Sequence, residues 1–296
     1  MNSNMFKGVG TALVTPFTQD GAVDLSTLRM LVDRQIAGGV DMLVPCGTTG
    51  EAVTLSEAEY EAVVSTVVES AAGRVPVIAG AGSNSTARTI ELALIAKSAG
   101  ATALLVVGPY YNKPTQEGFI QHYKAVTEAV QHPVVLYNVP GRTGSNMTAA
   151  TQLRIAALEW VVATKEASAN FSQLMEIIQS RPDSFSVLSG DDNLVLAQCA
   201  VGIDGVISVI SNEVPEAFCA MAHAALEGNF ERARPLHYTL LELMEANFIE
   251  SNPIPVKTAL AMMGLIVDSF RLPLVPMGVA NRDTLRAVLQ RLSLLQ

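Results

Sequence analysis

Short apolar runs, mostly β-branched, recur along the chain, and longer stretches with apolar residues three and four positions apart lie between them. The runs are GVGTALVTPF (8–17), MLVP (42–45), VPVIAG (75–80), ALLVVG (103–108), PVVLYNVP (133–140), WVVATKEA (160–167), FSVLSG (185–190) and GVISVI (205–210). Intervening segments such as DLSTLRMLVDRQIAGG (24–39) and SEAEYEAVVSTVVESAAG (56–73) carry helical periodicity and end in glycine, as capped helices do. Ser56 followed by Glu59 has the spacing of a capping box. Near-continuous apolar strands are buried on both faces, which is the sign of a parallel sheet covered by helices.

Eight such units in succession predict an α/β fold, a (β/α)8 TIM barrel. A doubly wound open sheet is the alternative, but it lacks support from any Gly-rich dinucleotide fingerprint. After about residue 213 the pattern turns helical in PEAFCAMAHAALEG, ERARPLHYTLLELMEANF and VKTALAMMGLI. The expected division is a barrel over 1–212, holding the active site. The last barrel helix and a C-terminal helical extension follow over 213–296.

Composition narrows the function classes. The 296 residues are 49% hydrophobic and 16% charged, as suits a compact globular enzyme. A net charge of -9 offers no basic surface for a nucleic-acid backbone. The N-terminal stretch does not read as a signal peptide, and no apolar run approaches the ~18 residues of a membrane span. Three cysteines without C-x-x-C spacing suit reduced thiols in a cytoplasm, and Cys46 reads as a small buried hydrophobe.

Polar, Gly-rich sequences fall where predicted strands end, the face on which barrel enzymes do their chemistry. These are CGTTGE (46–51), GPYYNKPTQEG (108–118), YNVPGRTG (137–144), TKEAS (164–168) and SGDD (189–192). Strand alternation puts Val161, Ala163 and Lys165 on one face, aimed into the barrel. A solvated lysine amine is protonated and cannot attack a carbonyl, whereas burial disfavours the charged form. Against this stands a plainer reading, in which Lys165 pairs with Glu51, Glu166 or Asp191 or reaches out to solvent. Tyr137 offers a phenol that can pass protons, or is simply a rim aromatic. Thr48 and Thr49 form a small nest suited to a carboxylate, or a tight turn. Arg142 is either a bidentate carboxylate fork or an exposed loop arginine. Asp191 and Asp192 are expected to cap the helix that follows them. The four histidines show no metal-ligand spacing, so no metal is expected.

Taken together, CGTTGE, PYYNKP, YNVPGRTG, TKEAS, SGDD, GVISV and NPIPVK resemble the dihydrodipicolinate synthase family, within the N-acetylneuraminate lyase superfamily of class I pyruvate-handling barrels. The resemblance spans essentially the whole chain. The double threonine and NVPGRTG favour it over the sialic acid lyases. It implies that Lys165 forms an imine with pyruvate, without any cofactor, and that the resulting enamine attacks L-aspartate 4-semialdehyde. It further implies Tyr137 as general acid/base, with Thr48 and Tyr111 completing a proton relay and Tyr111 supplied by a neighbouring subunit. Thr49, the Ile207 backbone and Gly190 would contact substrate, and Arg142 would receive the semialdehyde carboxylate. A cytoplasmic homotetramer, a dimer of tight dimers, is the implied assembly.

Two departures from the family pattern stand out. Ala169 occupies a position where glycine is common, which should be tolerated. At the lysine feedback site Asn84 and Tyr110 are retained, but Ala52, Glu57, Tyr60 and Arg88 replace the usual polar and acidic residues. Repulsion between Arg88 and a lysine ammonium predicts weak or absent feedback inhibition. Two rivals are another class I pyruvate aldolase, acting on a sugar acid, hydroxy-oxoglutarate or sialic acid, and a non-catalytic barrel. Arg142 argues against the first and the intact Lys165 set against the second.

Overall fold

The computed structural model describes residues 6–295. Within them eight strands form one all-parallel sheet: β1 (Gly8–Ala12), β2 (Met42–Val44), β3 (Ile78–Gly80), β4 (Ala103–Val107), β5 (Val134–Asn138), β6 (Val161–Glu166), β7 (Ser186–Ser189) and β8 (Gly205–Ser208). Ladders join every neighbour in the order β2-β1-β8-β7-β6-β5-β4-β3. The seam between β2 and β3 is bridged by the parallel pairing of Leu43 with Val77. Leu43 N–H also donates to Pro76 O and Gly80 N–H to Pro45 O, closing the barrel. At that closure a Cβ on Gly80 would sit 2.2 Å from the Cys46 carbonyl oxygen, so only glycine lets the two chains meet.

Helices α1 (Leu25–Ala37), α2 (Glu57–Ala71), α3 (Thr86–Ser98) and α4 (Gln116–Val130) cover the first half of the barrel. The second half is covered by α5 (Pro140–Thr143), α6 (Ala149–Ala156), α7 (Phe171–Ser180), α8 (Val195–Ala200) and α9 (Pro215–Leu226). Three more follow: α10 (Phe230–Ala246), α11 (Ile254–Met262) and α12 (Val279–Arg291). The expected capping box is present at the start of α2, where Ser56 and Glu59 satisfy each other's backbone N–H groups. None of the described helices is long and apolar enough to cross a membrane.

Alternation along the strands divides the core in two. One cluster fills the barrel interior with Ala12, Met42, Val44, Ile78, Ala103, Leu105, Val135, Tyr137, Ala163, Leu188 and Ile207. A larger one lies between the barrel and its helices and includes Val9, Leu104, Val106, Leu136, Val187 and Val206. Val161 belongs to that outer layer, not to the inner face assigned to it by simple alternation. The ladder to β5 explains this: Val134 pairs with Val161 but Val135 with Ala163, a bulge that takes up Val162 and resets the parity. Ala163 and Lys165 keep their inward face.

The C-terminal helices are bolted to the loops at the strand ends. Arg271 donates to Glu59 Oε2 at 2.9 Å and to the carbonyls of Thr54 and Gly21. Hydrogen bonds from Arg271, then from the Ser56 backbone, hold the Glu59 carboxyl down at about 2 from its usual 4.5. Ionised Glu59 therefore contributes stability above the unfolded value, and that contribution is lost as pH falls through the folded value. Glu59→Gln should lower urea-unfolding stability near neutrality, and the gap to the parent protein should narrow by about pH 3. A gap that stays constant over that range would contradict the assignment.

Candidate active site

Tyr137 and Lys165 are direct register partners on β5 and β6, so their side chains lie side by side on the inner wall. The amine nitrogen stands 4.3 Å from the centroid of the Tyr137 ring. Lys165 is only 6% exposed, and no carboxylate lies within ion-pair distance of it among the described residues. Of the three carboxylates that could have neutralised it, Asp191 lines the same cavity but makes no ion pair with it, and the other two are engaged elsewhere. Glu51 binds Lys257. Glu166, the next residue on β6, points to the helix side and accepts from Asn138, Gln152, Gln173 and the Ser168 N–H. Those contacts tie the end of β6 to β5, α6 and α7 and so hold Lys165 in place. Lys165 is thus neither salt-bridged nor solvated. A buried amine left unpaired costs stability, and chains keep such groups where chemistry needs them.

Lys165 lines a cavity of about 70 Å³ with Thr48, Thr49, Tyr137, Arg142, Gly190 and Asp191. An adjoining, more apolar cavity of about 210 Å³ shares Thr48, Tyr137 and Arg142 and extends past Ala52, Val53 and Tyr110. A Cβ on Gly190 would stand 2.9 Å from Lys165 Cε and 2.5 Å from Ala167 Cβ, so the bare backbone there makes room for the amine. Thr49 is buried, whereas Thr48 is exposed at the mouth. Arg142 lies exposed on the single turn α5, free of any carboxylate partner among the described residues. Its guanidinium is open to an incoming anion. Ile207 sits on β8 within the barrel interior, and Val209, two residues on, lines the cavity.

The second carboxylate pair departs from expectation. Asp191 makes no side-chain cap to the short helical turn after it, and its Oδ2 is buried without a hydrogen-bond partner among the described residues. Burial pushes its carboxyl up to about 6, against the opposing pull of Lys165. Asp192 caps the turn after β8 instead, its Oδ2 accepting from the Val209 and Ile210 N–H groups at 2.9 Å each. Asp192 is itself the first residue of the turn it was expected to cap and is buried, and its side chain reaches the end of β8. Cys46 is buried and its thiol is pushed far up by burial, as an inert packing residue should be.

A family model described as the dihydrodipicolinate synthetase family matches residues 5–292. This chain belongs to that family. The 4-hydroxy-tetrahydrodipicolinate synthase of Koribacter versatilis (strain Ellin345) is 52% identical over 283 residues, covering 95% of this chain and 94% of the relative. Among solved structures, dihydrodipicolinate synthase from Aquifex aeolicus superposes with a TM-score of 0.95 at 45% identity, covering 98% of this chain and 99% of that one. The chloride-inhibited dihydrodipicolinate synthase from Acinetobacter baumannii, complexed with pyruvate, superposes equally well at 42% identity, with 98% and 99% covered.

Within the family framework, other expected residues lie apart from Lys165. Tyr111 is 86% exposed and left-handed, with φ of +71°. It lines neither of the two cavities of this chain. Tyr110 lines the apolar cavity, and Asn84 accepts from the Asn112 side chain through its carbonyl at 2.8 Å. Arg88 is bound by Glu57 and Glu91, so its charge is already balanced and the repulsion expected from it loses its basis. Tyr60, for its part, is buried and donates to Gly80 O, which removes its hydroxyl from any ligand.

Two residues of the cavity wall, Phe248 and Asn252, had no signal in the sequence pattern. They sit on the C-terminal extension, where helical periodicity reports only packing. NPIPVK stood out as a family marker, yet nothing local tied its asparagine to a threonine some 200 positions earlier.

Proposed function

We propose that the chain is a 4-hydroxy-tetrahydrodipicolinate synthase, a lyase at the committing step of diaminopimelate and lysine synthesis. The observation that carries this reading is a buried Lys165 with no carboxylate partner among the described residues, beside Tyr137 in a small polar cavity. The Lys165 amine attacks C2 of pyruvate, and the carbinolamine loses water to give an imine. Loss of a C3 proton then gives the enamine, whose C3 adds to the aldehyde of L-aspartate 4-semialdehyde. Finally, the amino group of the second substrate attacks C2, closes the ring and releases Lys165.

Each step moves a proton next to the amine, where the Tyr137 phenol stands as general acid/base. Thr48 links it to the mouth. In an assembled dimer, the exposed Tyr111 of a neighbouring subunit completes the relay, and two such dimers make a tetramer in the cytoplasm. Thr49, Gly190 and the Ile207 backbone hold pyruvate. The covalent imine supplies the electron sink, so no metal or carried cofactor enters the scheme. The Arg142 fork takes the carboxylate of the semialdehyde. Tyr60 is buried with its hydroxyl donated to Gly80 O, so this helix offers lysine no free hydroxyl, and on that ground lysine inhibition is weak. Strong inhibition in a lysine titration would contradict that.

The decisive test is turnover with defined aldehydes. Condensation of pyruvate with L-aspartate 4-semialdehyde is expected, with little activity on sugar acids, and the reverse preference would sink the substrate assignment. Arg142→Ala should raise KM for the semialdehyde ~10- to 100-fold, the range of one charge-assisted contact, and leave imine formation with pyruvate unchanged. Equal damage to both half-reactions would place Arg142 elsewhere in the mechanism.

A further inference from the structure

The loop TTGE (48–51) is held from the far end of the chain by two separate contacts. Asn252 Nδ2 donates to Thr49 Oγ1 at 2.9 Å, and Lys257 binds Glu51 through a fully buried ion pair. Between these two points Thr15 Oγ1 donates to Gly50 O at 2.7 Å. Glu51 itself is left-handed, with φ of +51°, a backbone conformation that surrounding structure must enforce. Both Asn252 and Thr49 are buried, and both line the cavity that contains Lys165.

The hydrogen-bond inventory of this pair is unbalanced. Thr49 accepts one bond from the Asn252 amide, but its own hydroxyl proton has no acceptor among the described residues. Asn252 Oδ1 is also buried without a partner among the described residues. A hydroxyl that receives an N–H on one side cannot turn its proton toward that donor, so the proton is directed elsewhere. An unmet donor in a cavity wall costs stability unless a ligand meets it.

We infer that Asn252 is a positioning residue, which turns the Thr49 hydroxyl so that its proton meets the carboxylate of pyruvate. The Lys257–Glu51 pair, five residues along the same segment, holds loop and amide in register so that this direction is kept. The inference rests on the proposed imine chemistry of Lys165. It adds the C-terminal extension as the part of the fold that sets the pyruvate subsite.

The test uses the full-length protein with borohydride, measuring the pyruvate concentration that gives half-maximal trapping at Lys165. Asn252→Ala should raise that concentration ~10-fold, the effect of losing one directed bond to a charged group, with maximal trapping retained. Asn252→Asp keeps the volume and should raise it further, because a carboxylate accepts the Thr49 proton and repels the substrate. In a Thr49→Val background, Asn252→Ala should change half-saturation by less than ~2-fold, since the effect passes through that hydroxyl. Half-saturation unchanged in both Asn252 variants, or an equal cost with and without the Thr49 hydroxyl, would overturn the inference. Failure of the parent protein to trap pyruvate at all would instead remove the underlying function.

Discussion

Replacing Lys165 with methionine is expected to lower condensation by at least ~10³-fold while leaving the melting temperature equal or higher. The two halves of that expectation come from one observation. The amine is buried and lacks a carboxylate partner among the described residues, so its removal breaks no ion pair. Methionine has a similar length and fills the same space against Ala163, Leu188 and Tyr137, without the cost of a buried, unpaired amine. Stability and activity should then move in opposite directions, the signature of a residue kept for chemistry. A variant that lost several degrees and kept its turnover would mark Lys165 as structural.

The opposite outcome is expected at the second buried lysine. Lys257 is 0% exposed, bound to Glu51, with its amine 4.2 Å from the Phe17 ring centroid and 5.0 Å from that of Phe270. Burial lowers its pKa and Glu51 opposes that fall. Lys257→Met would leave Glu51 buried with only a long contact to the Arg271 N–H, at 3.4 Å. Breaking a buried pair in this way costs about 3–5 kcal/mol, whereas removing both charges costs far less. Denaturant unfolding should therefore show a large loss for Lys257→Met and partial recovery when Glu51→Gln is added. Equal stability of the single and double variants would mean that the pair does not organise the loop. Two lysines of like burial thus separate by their partners: one is satisfied, the other is not.

Much of this contrast was legible in the sequence, and the reasons for the rest are specific. The eight strands announced themselves because both faces of a parallel barrel strand are buried, which leaves unbroken apolar runs such as ALLVV. Lys165 stood out because it ends one of them. Alternation alone misplaced Val161, since a bulge adds a residue without changing the composition of the run. The Asp191–Asp192 pair looked like a local cap, but Asp192 reaches the turn after β8 across the barrel rim. Arg88 looked free although Glu91 stands three positions on along its own helix, a spacing the sequence displays; its other partner, Glu57 at the start of α2, has no one-dimensional signature. Asn252 and Lys257 are the clearest instance of this limit, because each acts on a loop about 200 residues away.

The central claim is that Lys165 carries pyruvate as an imine. Borohydride reduction in the presence of pyruvate, followed by peptide mass mapping, tests it directly. A pyruvyl adduct on the peptide containing Lys165, and none in Lys165→Met, is the predicted result. Pyruvate trapped on another lysine, or no adduct with active protein, would contradict it.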